Sequence, residues 1–404
     1  MIKFSDFLVE QAEAEPEAKK LKHLPHVEDM SFSGHEGVGI AAQHLEDTHN
    51  LLLGKRSQSH ISTKYDGAPS IVFGIHPETK KFFVATKSAF NAEPKINYTS
   101  EDIEKNHGHS PGLAAKLKDA LTHLPKIMPR NGGVYQGDLM YSDSDVKKTG
   151  KKLSFTPNTI TYSADASSPQ GARIRNSKLG VVVHTKYTGR NFNNLSATIL
   201  DNKQRNQFQD HPDVNNIDPT VHVDPHQYSH EDQREFLNHL ENAKRTYGKM
   251  APEAMDVLRR HQDHLEQYIN STVRSGDKPT VEGFSKLVSD KSQKDIDKVK
   301  TQATKDRYLR QHADAIKDIN DNSKHIKAAL ELHGHLQNAK NVLARVLSKN
   351  NDFEHSIGDE QTGPEGHVVW DKNDNATKIV DRAEFSRQNF LRGKMQQLKK
   401  AQNA

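Results

Sequence analysis

The strongest constraint on the fold of this chain is a change of hydrophobic periodicity along its 404 residues. Apolar residues of 58–90 and of 133–187 fall in short β-rich runs, with a helical signal at 111–124 between them. Those of 231–349 recur every three or four residues, as on one face of a helix. Strand-like sequence then returns at 366–380. We therefore expect an α+β fold in which a block of helices is inserted between two parts of one strand-containing domain.

The same pattern divides the chain into six segments. A stretch rich in Asn, Asp, His and Pro predicts a surface loop or linker before the helices. The predicted segments are an N-terminal amphipathic peptide with its linker (1–20), the first part of the strand-containing domain (21–200), the linker (201–228), the helical domain (229–350), the second part of the strand-containing domain (351–385) and a basic C-terminal helix (386–404).

Composition excludes several classes of site and of protein. The absence of cysteine excludes disulfides, Cys-ligated zinc and a Cys nucleophile. No apolar run approaches the roughly 18 residues that span a bilayer, so we expect a soluble protein without a membrane partner. The net charge of +4 is too small to indicate nucleic acid by itself, and that inference needs local clustering of charge.

A lysine lies at a predicted strand-to-turn junction in the sequence Lys64-Tyr65-Asp66-Gly67. Such an amine can serve as a nucleophile, and Asp-Gly makes a tight turn that lets a nucleotide approach the backbone. The same four residues also occur in ordinary hairpin turns. The functional interpretation therefore depends on residues further along the chain.

Three of those residues lie on or beside predicted strands: Asp138, Glu365 and Lys378. A free lysine, with a pKa of about 10.4, is protonated at neutral pH, and nearby cations or burial must lower that pKa before it can attack. Lys378 and a bound Mg²⁺ would supply such a field. Asp138 and Glu365 are hard oxygen donors that suit Mg²⁺, with Mn²⁺ as an alternative. The metal would stabilise charge that develops on a phosphate during displacement.

In order and in type these residues resemble the motifs of the covalent nucleotidyltransferase superfamily, which includes polynucleotide ligases and capping enzymes. The resemblance covers roughly 40–200 and 355–385. It implies an ATP-grasp-like domain of antiparallel sheets, with Lys64 as the residue that ATP adenylates and with Asp138 and Glu365 as metal ligands. The residues that it implies for nucleotide binding are Thr63, Asp66, Gly67, Lys87, Asp138, His184 and Lys378.

The chain departs from this superfamily at two motifs. Asp138 stands where the usual residue is Glu, and Lys378 is a single lysine where the family has Lys-x-Lys. Only 26 residues follow Lys378, too few for the OB-fold domain of DNA ligases and capping enzymes. The resemblance therefore favours an RNA ligase that joins 5′-phosphate to 3′-hydroxyl ends. A DNA nick ligase or another covalent nucleotidyltransferase is the alternative, with nucleic acid, RNA before DNA, as the partner.

The N-terminus suggests a viral origin. Phe4, Phe7 and Leu8 share one helical face, and the peptide resembles the targeting peptides of tailed-phage head proteins, which are cut after a site like Leu8-Val9-Glu10. The whole chain also resembles an uncharacterised tailed-phage family. These resemblances imply the host cytoplasm during infection, or packaging in the virion through capsid association of residues 1–10. They leave open a non-enzymatic virion protein whose site has decayed.

The 24 histidines suggest metal binding. His222, His226 and His230 have permissive spacing, but Pro225 argues against a helical His site, so a polar loop is expected. His184 and His367 are predicted to contact nucleotide or phosphate.

Overall fold

The computed structural model describes residues 24–373, 375–384 and 386. The chain is a mixed α+β protein with several sheets. It divides into two compact units: unit 1 contains residues 70–137 and 183–211, and unit 2 contains the described residues of 23–69, 138–182 and 212–404. The predicted N-terminal peptide lies outside the described residues, as does the predicted C-terminal helix apart from Ser386.

The strands alternate with turns through both parts of the predicted strand-containing domain. In chain order they are β1 (His60–Lys64), β2 (Ser70–Ile75), β3 (Phe82–Ala85), β4 (Val134–Ser142), β5 (Lys147–Thr149), β6 (Lys152–Phe155), β7 (Thr161–Asp165), β8 (Leu179–Thr188), β9 (Ser196–Ile199), β10 (Val214–Asn216), β11 (Glu354–Ile357), β12 (Glu360–Thr362), β13 (Gly366–Trp370) and β14 (Ala376–Ile379).

The helices fall into a scattered first set and a continuous second set. They are α1 (Gly34–Leu52), α2 (Ser100–His107), α3 (Pro111–His123), α4 (Pro169–Asn176), α5 (Asn202–Arg205), α6 (His230–Gly248), α7 (Pro252–Ser275), α8 (Val281–Lys298), α9 (Gln302–Asp321) and α10 (Ser323–Leu347). Among the described residues no helix is both long and apolar enough to cross a membrane.

Unit 1 is built on a sheet in which the strand order is β9-β8-β4-β2-β3. Alternate apolar residues of its strands pack with an aromatic cluster formed by the chain after β8. Phe192 stacks on His76 at a centroid distance of 4.9 Å and packs edge-on against Phe83. The Tyr187 hydroxyl donates to the Gln136 side chain at 2.6 Å, which ties β8 to β4 inside the core.

Unit 2 contains two antiparallel sheets and the helical block. One sheet has the order β1-β13-β14 and the other β12-β11-β7-β6-β5, while β10 lies parallel to the start of β8. Both sheets therefore combine strands from before and after the helical block. The long helices α6 and α10 pack together with α1 through Phe236, Leu240 and Leu343, which are all buried. α7, α8 and α9 share a second core around Phe284.

The predicted linker 201–228 is more structured than its composition indicates. It contains α5 and β10, and its later part lies against β1: the Thr63 N–H donates to the Pro219 carbonyl at 2.7 Å. These backbone bonds are non-local, so a scan of local composition does not detect them. Lys87 lies beyond a strand, because β3 ends at Ala85 and Lys87 begins a 3₁₀ turn capped by the Thr86 hydroxyl.

A buried charge network joins the N-terminal segment of unit 2 to α10. Lys340 Nζ contacts Glu28 Oε1 at 2.7 Å, and both side chains are fully buried. Arg382 Nε lies 2.9 Å from the same Glu28 oxygen and its guanidinium also pairs with Asp29. His333 Nε2 lies 2.9 Å from Asp29 Oδ1. Burial alone would raise the pKa of Glu28, but the positive charges of Lys340 and Arg382 outweigh that effect and lower the pKa. The carboxylate therefore stays charged.

Candidate functional site

The candidate site lies where β1 ends beside the start of β13. The two strands are antiparallel, and their register places Lys64 opposite Gly366. Lys64 Nζ therefore pairs with the carboxylate of Glu365, the residue before β13. The Lys64 side chain is 35% exposed and that of Glu365 15% exposed, so the amine remains accessible while the carboxylate is largely enclosed. Lys64 and Glu365 are far apart in the sequence, and the pairing of β1 with β13 brings them into contact.

Lys378 joins the same sheet from the other side of β13. β14 pairs antiparallel with β13, with Lys378 opposite Val368. The backbone N–H of Lys378 donates to the Pro25 carbonyl at 2.9 Å, which fixes the strand to the N-terminal segment of unit 2. Burial lowers the pKa of Lys378, and the positive charges of Lys64 and Arg382 lower it further. The two predicted site lysines thus interact electrostatically.

Asp138 is brought close to the Lys64 loop by Gly67. A Cβ placed on Gly67 would lie 2.6 Å from Asp138 Cβ and 2.9 Å from Met140 Sδ. The backbone N–H of Ala68 donates to the Leu139 carbonyl at 2.9 Å, and the Leu139 N–H donates to the Pro69 carbonyl at 3.0 Å. Glycine is thus required here by close approach of the chain to β4, in addition to any approach of a ligand.

We expect replacement of Gly67 by alanine to destabilise the protein by about 1–3 kcal/mol, because the added methyl group overlaps Asp138 and Met140. Urea unfolding followed by circular dichroism would measure this. Gly334→Ala is the matched control: it lies in α10 with no atom within 4 Å of the added Cβ, and it should stabilise the helix by about 0.5–1 kcal/mol. A Gly67→Ala protein as stable as the parent would contradict the packing argument.

The Asp66 carboxylate accepts hydrogen bonds from the loop between β6 and β7. Its Oδ1 accepts from the Asn158 amide at 2.8 Å, and its Oδ2 accepts from the backbone N–H groups of Thr159 and Ile160 at 3.0 and 3.3 Å. The Asp66 N–H donates to the Tyr162 hydroxyl at 2.7 Å. Asp66 thus orients the Lys64 turn. These partners were not predicted, although the Pro157-Asn158 turn between two β-rich runs is a recognisable hairpin signal.

The surroundings of Glu365 are rich in negative charge. Burial raises its pKa, Lys64 opposes that rise, and the charges of Asp66 and Asp138 add to it. A cation beside these carboxylates would relieve their mutual repulsion. Asp138 lies beside the Lys64 turn and Glu365 contacts Lys64, and these two carboxylates are the ones that would hold a divalent metal ion. Mg²⁺ commonly takes one or two carboxylates with phosphate and water.

A second group with metal-ligand atoms exists, but its charges are already balanced. Glu28, Asp29 and His333 bring one ligand atom each within 4.8 Å of one another. Lys340 and Arg382 neutralise the two carboxylates. A metal ion there would have to displace two buried cations, so we interpret this group as a structural network. Among the described residues, the predicted His222, His226 and His230 do not form such a group.

Two cavities of unit 2 flank the paired strands. A cavity of about 310 Å³ borders Glu365, Gly366 and the C-terminal turn of α10, and this is at the lower end of ligand-pocket volumes. A smaller cavity of about 200 Å³ is lined by Thr63, Tyr65 and His222, which lies in the segment predicted as a linker. Since side chains alternate along a strand, Thr63 points to the face of β1 opposite to Lys64.

Most of the predicted site residues belong to unit 2, and two belong to unit 1. Lys64, Gly67, Asp138, Glu365 and Lys378 come together in unit 2, with Asp66 holding the turn. Of the other three predicted nucleotide contacts, Thr63 lies in unit 2 on the opposite face of β1, whereas Lys87 and His184 belong to unit 1. The roles of all three stay predictions. His184 Nδ1 lies 2.8 Å from the Thr185 hydroxyl.

Three histidines of unit 2 are held neutral: His355 and His367, which are buried, and His26, which is partly buried. Burial lowers the pKa of His367 to about 3, with a further contribution from His355, and burial lowers the pKa of His355 to about 4. Neither ring nitrogen of His367 has a hydrogen-bond partner among the described residues. Burial likewise lowers the pKa of His26 to about 3, against an opposing effect of Glu28. The predicted phosphate contact by His367 would thus come from a neutral ring.

This burial predicts a loss of stability in mild acid. In the unfolded chain each histidine takes up a proton near pH 6.5, whereas the folded chain excludes that proton until pH 3–4. Stability should hold above about pH 6.5 and fall by about 3 kcal/mol between pH 7 and 5.5, about 1 kcal/mol for each histidine. Urea unfolding at the two pH values would measure it. His355→Phe should reduce the loss by about 1 kcal/mol, and equal stability at both pH values would contradict it.

Comparison with known proteins gives a family without an assigned activity. The sequence profile of the Family of unknown function (DUF6267) matches residues 21–394, which is most of the chain. The chain belongs to this family. No curated protein and no solved structure matches the chain. Function must therefore be argued from the site.

Proposed function

We propose that this chain is an ATP-dependent polynucleotide ligase that works through a covalent lysyl-AMP intermediate on Lys64. The observation that carries the proposal is the contact of Lys64, at the end of β1, with Glu365, directly before the neighbouring β13. Lys378 lies on the next strand, and Asp138 lies beside the Lys64 turn. These are the nucleophile, metal-ligand and phosphate-binding residues that the superfamily motifs imply. An ATP-grasp-like nucleotidyltransferase domain is part of the proposal.

The chemistry follows from the charges at the site. Lys64 Nζ attacks the α-phosphorus of ATP, the bond to the β-phosphate oxygen breaks, and pyrophosphate leaves. The ammonium must first lose a proton, and Glu365, in direct contact with it, would accept that proton. Bound Mg²⁺, or Mn²⁺, would supply positive charge at the phosphates. Lys378 would add to that charge.

The two later steps transfer the AMP and join the ends. A 5′-phosphate oxygen of the polynucleotide attacks the phosphorus of lysyl-AMP and restores the free amine. A 3′-hydroxyl then attacks the activated 5′-phosphate and AMP leaves. RNA is proposed as the substrate ahead of DNA, because the chain carries a helical block (α6–α10) of the kind that phage-type RNA ligases join to this domain. A DNA nick ligase and a catalytically inactive virion protein are the competing proposals.

End joining tests the proposal and separates these competitors. The full chain would be incubated with ATP, Mg²⁺ and 5′-labelled substrates: single-stranded RNA, nicked RNA duplex and nicked DNA duplex. We expect joined RNA products that require ATP. Joining of nicked DNA alone would replace RNA by DNA in the proposal. No product with any substrate and no covalent label from ATP would favour the inactive virion protein, and label from GTP alone would indicate capping-like chemistry.

A further inference from the structure

Helices α7 and α8 enclose a polar cleft of about 550 Å³ in unit 2. Each helix contributes one face, because the lining residues recur at three- and four-residue spacing. The polar lining includes Gln267, Asn270, Arg274, Lys286, Lys291 and Lys294. Neither helix alone shows a basic stripe in its sequence. The clustering arises because the two faces are placed side by side.

The positive charges of this cleft are incompletely balanced. The carboxylate that lines it is that of Asp290, which lies 4.0 Å from Lys286 Nζ. Lys291 Nζ donates to the Gln267 side-chain oxygen at 2.6 Å, which is a neutral partner. Within the part of the chain that the structure describes, Arg274 and Lys294 make no ion pair or side-chain hydrogen bond. Both are exposed. Two cations without partners thus face a polar cleft.

The cleft continues along α7. A second cavity of about 260 Å³ shares Gln267 and Lys291 with the first and reaches Arg259. From Arg259 to Arg274 the helix rises about 22 Å at about 1.5 Å per residue, a span that can follow several nucleotides of an extended strand. Arg259 is tied to Asp256 at 2.6 Å, so the uncompensated charge is concentrated toward Arg274 and Lys294.

We propose that this α7–α8 groove binds the phosphate backbone of a single-stranded polynucleotide. Arginine can grip a phosphate with two parallel N–H bonds, and lysine neutralises it as a point charge. Asn270 accepts a bond from Arg382 through its oxygen at 3.2 Å, which leaves its NH₂ group to donate. Such contacts position a strand without reading its bases. That the groove is the substrate surface of the ligase rests on the proposed function. Binding of an oligonucleotide to the groove can be measured without catalysis.

Neutralising the two unpartnered cations tests the groove. Arg274→Gln/Lys294→Gln would be compared with Lys305→Gln/Arg310→Gln, a matched pair of exposed cations on α9 outside the cleft. Fluorescence anisotropy would follow binding of labelled oligouridylate and oligothymidylate, each about 12 nucleotides long, at several salt concentrations. We expect the groove variant to bind about tenfold more weakly, and the slope of log affinity against log salt to fall by about 1.4. The α9 variant should match the parent.

The outcomes separate this inference from the ligase proposal. Equal affinities for the parent and the groove variant, or no binding of either oligonucleotide by the parent, would overturn the inference. A groove variant that loses binding but still forms lysyl-AMP supports both proposals. If the parent binds through the groove and forms no lysyl-AMP, the inference stands and the ligase proposal fails. Tighter binding of oligouridylate would support RNA as the polymer, and equal binding would support backbone recognition alone.

Discussion

Replacement of Lys64 by alanine should abolish end joining and reduce it to the level without protein. The reason is that the alanine variant lacks the amine that forms the bond to the α-phosphorus, and no other lysine pairs with Glu365 among the described residues. Lys64→Arg should be equally inactive, because guanidinium keeps the charge but stays protonated. Joining would be measured by denaturing gel with ATP and labelled RNA ends.

A matched control distinguishes loss of chemistry from loss of structure. Lys55→Ala removes an exposed lysine of the same unit that lies outside the site, and it should retain the parent activity. Glu365→Gln should also lower joining strongly, since it removes the carboxylate that contacts Lys64 and that we expect to hold metal. Joining by the Lys64→Ala protein at the parent rate would contradict the assignment of the nucleophile.

Replacement of Lys340 by methionine should destabilise the protein by about 3–5 kcal/mol. Lys340 and Glu28 are both fully buried and their Nζ and Oε1 atoms lie 2.7 Å apart, so the variant leaves the buried Glu28 carboxylate with one fewer cation. Arg382 still neutralises part of the Glu28 charge, but its guanidinium also pairs with Asp29. Urea unfolding at pH 7 measures the loss. Lys327→Met, on an exposed position of the same helix, should change stability by less than about 0.5 kcal/mol.

A double variant tests whether the charge itself is responsible. Glu28→Gln/Lys340→Met removes both members of the pair, and it should recover much of the stability lost in the single variant, because no unpaired ion remains. Stability of Lys340→Met within about 1 kcal/mol of the parent would contradict the argument. So would a double variant no more stable than the single one.

The sequence predicts the local elements of the site better than their assembly. The β-rich run at 61–64 and the strand-like sequence at 366–370 are strands as predicted, and the helical pattern at 231–349 corresponds to α6–α10. The register that sets Lys64 opposite Gly366 depends on long-range pairing, which no local pattern specifies. The α+β class with a helical block could thus be predicted, while the contact between Lys64 and Glu365 could not.

Buried charge is the other feature that the sequence conceals. Glu28 and Lys340 are 312 residues apart, and each would ordinarily be assigned to a solvated face. Only their juxtaposition reveals a charged core. The basic groove between α7 and α8 is hidden for the same reason, since acids and bases alternate along each helix taken alone.

The most direct test of the central claim is a search for AMP on Lys64. The full chain would first be treated with pyrophosphate to remove any bound nucleotide, then incubated with ATP and Mg²⁺ and digested for peptide mass spectrometry. The account predicts the mass of one AMP on the peptide that contains Lys64, and no adduct in the Lys64→Ala protein. An adduct on a different residue, or none on any peptide of the parent protein, would contradict it.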